Sequence, residues 1–160
     1  MEKTFSACEI IELGIQIEKN GKDFYSELAK KTNKKEVKSV LLFLSSEEAK
    51  HIDIFKKLST RACSYNPSQA YTDEYFAYLR SLADSYVFTK KDKGVEIAAK
   101  IKEDKEGVDL GVRFEKDSIL FYQEMKKFVP ENDKALIETL IEEEKKHLSR
   151  LCALKVGMLI

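Results

Sequence analysis

The chain repeats its own pattern, and this repeat limits the possible folds more than any other feature of the sequence. The stretch IEKNGKDFYSEL from Ile17 aligns with FEKDSILFYQEM from Phe114, pairing Glu18 with Glu115, Phe24 with Phe121, Tyr25 with Tyr122 and Glu27 with Glu124. Further on, EEAKH (Glu47 to His51) aligns with EEKKH (Glu143 to His147), and these two copies hold both histidines of the 160-residue chain. The two alignments differ in offset by one residue, which a loop absorbs. The repeating unit is a segment bearing a Glu, a loop, and a segment bearing Glu-x-x-His.

Each segment reads as a helix. Pro and Gly are scarce, 2 and 6 residues, and helix formers fill the rest. Ser6 and Glu9 make a capping box, after which Ile10, Ile11, Gly14, Ile17, Gly21, Phe24, Tyr25 and Leu28 keep a helical period to about Thr32. A second helix runs from about Asn33 through Val37, Leu41, Leu44, Phe55 and Leu58 to Ala62. A third starts at Asp104, a fitting N-cap, and continues through Val108, Val112, Ile119 and Tyr122 to Phe128. The fourth has Pro130 in its first turn and runs through Ile137, Leu140, Ile141, Leu148 and Leu151. Short connections give two antiparallel hairpins, 6–62 and 104–156. Between them lies a crossover, 63–103, which opens with the turn-rich CSYNPSQAYT and carries helical pieces near 73–86 and 94–102. The expectation is a single all-α domain, 1–160, a four-helix bundle of two antiparallel hairpins with a long crossover containing short helices.

Residues three apart on a helix share a face, so Glu48 and His51 project together, as do Glu144 and His147. Glu18 lies about as far before the first hairpin's turn as Glu48 lies after it, and Glu115 and Glu144 relate in the same way across Pro130. Four carboxylates and two imidazoles therefore meet midway along the bundle. In an apolar interior four carboxylates repel one another and must take up protons unless cations neutralise them, and two divalent ions balance the charge. The imidazoles favour iron or manganese over magnesium or calcium. Tyr25 and Tyr122, two turns beyond Glu18 and Glu115, line the same inner face, either as core or beside the metals. Gly21 and Ser118, one turn beyond the same glutamates, leave room there or allow close helix packing. Glu47, Glu142 and Glu143 are expected to face water.

Composition narrows the function. The 28 basic and 28 acidic residues cancel, and the only arginines are Arg61, Arg80, Arg113 and Arg150, which argues against a nucleic-acid surface. Acidic Glu9 and Glu12 interrupt any signal-like apolar stretch, and no apolar run approaches a membrane span, so a soluble cytoplasmic protein is expected, with no membrane partner. Cys8, Cys63 and Cys152 are odd in number, far apart and without a C-x-x-C pair, which reads as free thiols rather than a zinc ribbon, a rubredoxin-type site or a disulfide framework.

Through IEKNGKDFY, SEEAKH, FEKDSILFYQE and IEEEKKH the sequence resembles the rubrerythrin branch of the ferritin-like superfamily, over both hairpins. The resemblance implies a ferritin-like four-helix bundle with two iron ions per site, manganese being possible. Glu48 and Glu144 would bridge the ions, and Glu18, Glu115, His51 and His147 would be terminal ligands. It further implies reaction with hydrogen peroxide or dioxygen, oxidation of Fe(II), a protective role under oxidative stress, and a homodimer. Two departures stand out. Ser118 occupies the place of a further family glutamate, and the C-x-x-C pairs of a rubredoxin-like domain are absent from this sequence. The implied reductant is therefore an external electron donor such as rubredoxin or a flavoprotein. The alternative is a metal-binding, iron-handling bundle with little or no turnover.

Overall fold

The computed structural model describes residues 5–67 and 71–158, and over these the chain is helical with no strand. The first hairpin is α1 (Ala7–Lys31) and α2 (Lys35–Ala62); the crossover holds α3 (Asp73–Ser85) and α4 (Lys93–Lys100); the second hairpin is α5 (Asp104–Met125) and α6 (Glu131–Gly157). Short 3-10 turns at Val87–Thr89 and Lys126–Phe128 follow α3 and α5. This is the expected four-helix bundle with its helical crossover. Ser68 to Ala70 of the turn-rich stretch lie outside the described residues.

The capping box forms: Glu9 N donates to Ser6 Oγ at 3.2 Å, and Ser6 N donates to the Glu9 carboxylate at 2.9 Å. Two other helix starts shift. Glu103, not Asp104, is the N-cap of α5, and Pro130 is the N-cap of α6 rather than a residue of its first turn. As the first residue of the helix, Asp104 places its charge at the positive end of the macrodipole.

The inner face of α1 follows the predicted period, with Ile10, Ile11, Gly14, Ile17, Gly21, Phe24, Tyr25 and Leu28 all buried. On α5 the buried stripe is Val108, Gly111, Phe114, Glu115, Ser118, Phe121, Tyr122 and Met125, while the expected Val112 and Ile119 sit half-buried beside it. The expected stripe followed the most apolar side chains. The helix instead buries the row that includes Gly111, where an added Cβ would stand 3.1 Å from Leu151 and 3.3 Å from Tyr25. Phe24 and Phe121 are core residues, as expected.

The crossover docks on α1 through one polar side chain. Asn20, 1% exposed, donates through Nδ2 to the carbonyls of Phe88 (2.7 Å) and Lys90 (2.6 Å), and its Oδ1 accepts from Gly94 N at 2.9 Å. The Phe88 carbonyl and the Gly94 amide would otherwise be buried and unpaired. Gly94 permits the approach, since a Cβ there would fall 2.1 Å from the Asn20 carbonyl oxygen. Phe88 then packs on Phe114 with ring centroids 4.0 Å apart, and Tyr86 and Phe24 complete the cluster.

The cysteine expectation is corrected. Cys8 and Cys63 form a disulfide, with Cα atoms 4.3 Å apart, and only Cys152 is free. Cys8 opens α1 and Cys63 follows the end of α2, so the antiparallel hairpin brings together two residues 55 apart in sequence. Arg61, beside that end, pairs with the buried Asp133 of α6 at 2.9 Å.

Candidate metal centre

The six residues singled out by the repeat converge midway along the bundle, and all are buried: Glu18, Glu48, His51, Glu115, Glu144 and His147. Two overlapping groups emerge, Glu18 with Glu48, His51 and Glu144, and Glu115 with Glu48, Glu144 and His147. Within each, one donor atom per residue lies within 4.8 Å of the others. Only Glu48 and Glu144 belong to both groups.

The oxygens are distributed accordingly. His51 Nδ1 lies 3.2 Å from Glu48 Oε2 and 2.8 Å from Glu144 Oε1, whereas His147 Nδ1 lies 3.4 Å from Glu48 Oε1 and 3.4 Å from Glu144 Oε2. Each shared carboxylate thus turns one oxygen towards each histidine. Glu18 Oε2 lies 3.4 Å from His51 Nδ1, and Glu115 Oε2 lies 3.9 Å from His147 Nδ1. Their remaining oxygens are held across the bundle, where Tyr122 donates to Glu18 Oε1 and Tyr25 donates to Glu115 Oε1. Both tyrosines are therefore core residues and neighbours of the cluster at once. Burial first, and then the charge of Glu115, pushes the Tyr25 hydroxyl well above its ordinary 10.0, and burial and Glu18 do the same for Tyr122. Both stay protonated and can only donate to these acceptors.

Within the cluster the side chains hold protons more tightly than usual, with one exception. Burial, reinforced by the neighbouring carboxylates, raises Glu48 and Glu115 well above the usual carboxylate range. Burial opposes a charge on His51 and His147, but the carboxylates around them overcome it and raise both. At Glu144 burial is outweighed by interactions with the two histidines, and its carboxyl falls below the usual range. Glu144 Oε1 and His147 Nδ1 are buried and make no hydrogen bond. For Oε1 this holds even though His51 Nδ1 is at ion-pair distance. Buried donors and acceptors are rarely left without a protein partner unless an ion or water satisfies them. Four carboxylates, two imidazoles and these two orphans fit a pair of divalent cations.

Sequence reasoning missed three neighbours. Glu143 was expected in water, yet its Oε2 lies 2.8 Å from His51 Nε2. The helices α2 and α6 pack side by side, so the residue one turn before His147 reaches the outer edge of His51. Counting along α6 alone does not reveal this relation. Glu47 also departs from the expectation of water: it is half-buried, pairs with Lys50, and its charge is felt by His147, whereas Glu142 pairs with Lys145 in water. Tyr86, from the crossover, hydrogen-bonds the Ser118 hydroxyl at 2.8 Å and donates to the Phe114 carbonyl at 3.0 Å. The aromatic run around Tyr86 was its only sequence signal. Asn20, two residues beyond Glu18, is the third. Gly21 faces Glu48, whose Cγ would be 3.4 Å from an added Cβ. Beside Gly21, Ser118 and Tyr86 lies a cavity of about 10 Å³, room for about one water-sized molecule.

The family model for rubrerythrin matches residues 9–155. A Thermotoga maritima crystal structure, described as that of a ferritin-like diiron-carboxylate protein, is 26% identical and superposes with a TM-score of 0.69, covering 97% of each chain. A hypothetical protein from Pyrococcus furiosus, 19% identical, has the same fold with a TM-score of 0.58, covering 97% of this chain and 91% of its own. A comparison with curated proteins gives no match. Among the described residues no helix is long and apolar enough to cross a membrane.

Proposed function

Because the chain belongs to the rubrerythrin family, we propose that its cluster holds two iron ions and that the protein is an oxidoreductase. It reacts with hydrogen peroxide or dioxygen and oxidises Fe(II), in protection against oxidative stress. Glu18, Glu48, His51 and Glu144 would hold one ion, and Glu115, Glu144, His147 and Glu48 the other, with manganese able to use the same ligands. The observation that carries this reading is the sharing of Glu48 and Glu144, each with one oxygen turned to either histidine.

When bound, a pair of Fe(II) ions supplies the two electrons that turn hydrogen peroxide and two protons into two waters. The chain supplies the setting. Tyr25 and Tyr122 each fix one oxygen of a terminal glutamate, leaving the other free to face the centre. The aromatic wall of Phe24, Phe88 and Phe114 keeps bulk water out, and the cavity beside Gly21 and Ser118 offers a place for a small oxidant. Electrons return from an external donor such as rubredoxin or a flavoprotein, and the protein works in the cytoplasm as a homodimer.

The test is metal analysis followed by stopped-flow mixing of the anaerobic Fe(II)-loaded protein with peroxide. Rapid oxidation of two irons per chain supports the oxidoreductase. A second reading, metal binding with little turnover, draws on the Tyr86 hydrogen bond that ties Ser118 back from the centre. Full metal content without a fast phase would select it.

A further inference from the structure

The six central groups obey the twofold repeat, and the layer outside them does not. His51 Nε2 lies 2.8 Å from the carboxylate of Glu143, which is 34% exposed. A carboxylate only accepts, so the proton sits on Nε2, and Nδ1 is the ring atom aimed at Glu18, Glu48 and Glu144. The repeat places Glu47 where Glu143 stands, and the charge of Glu47 reaches His147, but its hydrogen bond goes to Lys50 at 2.5 Å, and no carboxylate among the described residues is bonded to His147 Nε2. The ring of Phe43 stands edge-on to His147 instead, 6.4 Å away, with the Arg150 guanidinium 4.3 Å from the Phe43 centroid. The α6 residue that matches Phe43 in the repeat is Thr139.

Resting on the reading of the cluster as a two-metal centre, we propose that its two positions are unequal: the position at His51 fills first and holds its ion more tightly, with Glu143 as the positioning residue. A carboxylate on the far nitrogen of a ligating imidazole fixes its tautomer and rotation and makes it a stronger donor; losing such a partner typically costs 10–100-fold in metal affinity. His51 has this hydrogen bond, whereas the Glu47 beside His147 gives its bond to Lys50.

The chain has only 2 histidines, so imidazole NMR resolves the question directly. Zn(II) is titrated into the metal-free protein, with 15N–1H correlation spectra of the rings recorded alongside calorimetry. The first equivalent moves the His51 signals and the second those of His147. Repulsion between bound ions splits the affinities of any bridged pair, so the order of the histidines carries the test. Glu143→Ala weakens the first step by roughly 10–100-fold and abolishes the slowly exchanging Nε2–H of His51. Glu143→Gln, whose amide oxygen still accepts, restores part of both, and Glu47→Ala leaves the order unchanged. His147 shifting first, both rings shifting together, or an unaltered first step in Glu143→Ala overturns the proposal. If neither ring responds to zinc, the two-metal reading itself falls, and the inequality with it.

Discussion

Tyr25 and Glu115 belong to different hairpins, and the phenol of one donates to the carboxylate of the other inside the bundle. Tyr122 and Glu18 repeat the arrangement in the opposite sense. The glutamate that each hairpin does not share between the two groups is therefore held by its neighbour's tyrosine.

Removing one hydroxyl tests that bond. In Tyr25→Phe, Glu115 Oε1 stays buried without its donor, at a cost of about 1–3 kcal/mol. In a chain of this size each kcal/mol lowers Tm by roughly 2–4 °C. Thermal melts of the metal-free variant measure the loss, and an unchanged Tm would remove the bond from the account.

The sharing of Glu48 and Glu144 predicts a stoichiometry. Glu144→Ala and Glu48→Ala each disturb both groups and should empty the centre, whereas Glu18→Ala leaves Glu48, Glu115, Glu144 and His147 intact and should keep one ion. Elemental analysis of the purified variants reads the number directly. Chelation of the wild type should lower Tm, since a ligand bound only by the folded state stabilises it.

The metal-free protein should lose stability as pH rises. Glu48 and Glu115 ordinarily ionise near 4.5 and the histidines near 6.5, and all four are raised in the folded chain. Above those ordinary values the native state binds more protons than the unfolded state, so stability falls towards alkaline pH. Glu144, lowered, acts oppositely and contributes a loss on the acid side. Melts in chelator at pH 5, 7 and 9 should show a descending Tm, and metal should flatten the descent.

Asn20 and Gly94 anchor the crossover. Asn20→Ala leaves the buried Phe88 carbonyl and Gly94 amide without partners and the Lys90 carbonyl to water, a loss of about 2–4 kcal/mol. Gly94→Ala drives a methyl into backbone that has no room to yield, and should cost at least about 1–3 kcal/mol. Denaturant unfolding compares the two. If Gly94→Ala were neutral, the crossover would not be docked as described.

The Cys8–Cys63 bond closes a loop of 55 residues, and by chain entropy its loss should cost roughly 4 kcal/mol. Thiol titration of unfolded, unreduced protein should find one thiol, Cys152, and three after reduction. Three thiols without reductant would contradict the bridge.

The sequence carried some of these relations openly and hid others. The four long helices, both crossover helices and the convergence of the six buried groups follow from periods and counts along one hairpin at a time. Relations between hairpins were hidden, because spacing within a helix says nothing about which neighbour lies alongside. Glu143 meets His51 only through the contact of α2 with α6, and the tyrosines exchange partners only through that of α1 with α5. Cys8 and Cys63 sit at the two ends of one hairpin, 55 residues apart, so only matching the hairpin's ends pairs them, and no close cysteine spacing marks the bond. Asn20 gave no sign, since one asparagine on an apolar face looks like a defect until the backbone it satisfies is in place.

The centre draws three of each group's four residues from one hairpin and borrows the fourth, Glu144 or Glu48, from the other. Two identical half-length chains could in principle supply the same donors, but their meeting would depend on concentration. The long crossover, pinned at Asn20, makes that meeting intramolecular. What it contributes is permanence: the two halves remain together at any dilution, and within one chain they can differ residue by residue, as Phe43 and Thr139 do.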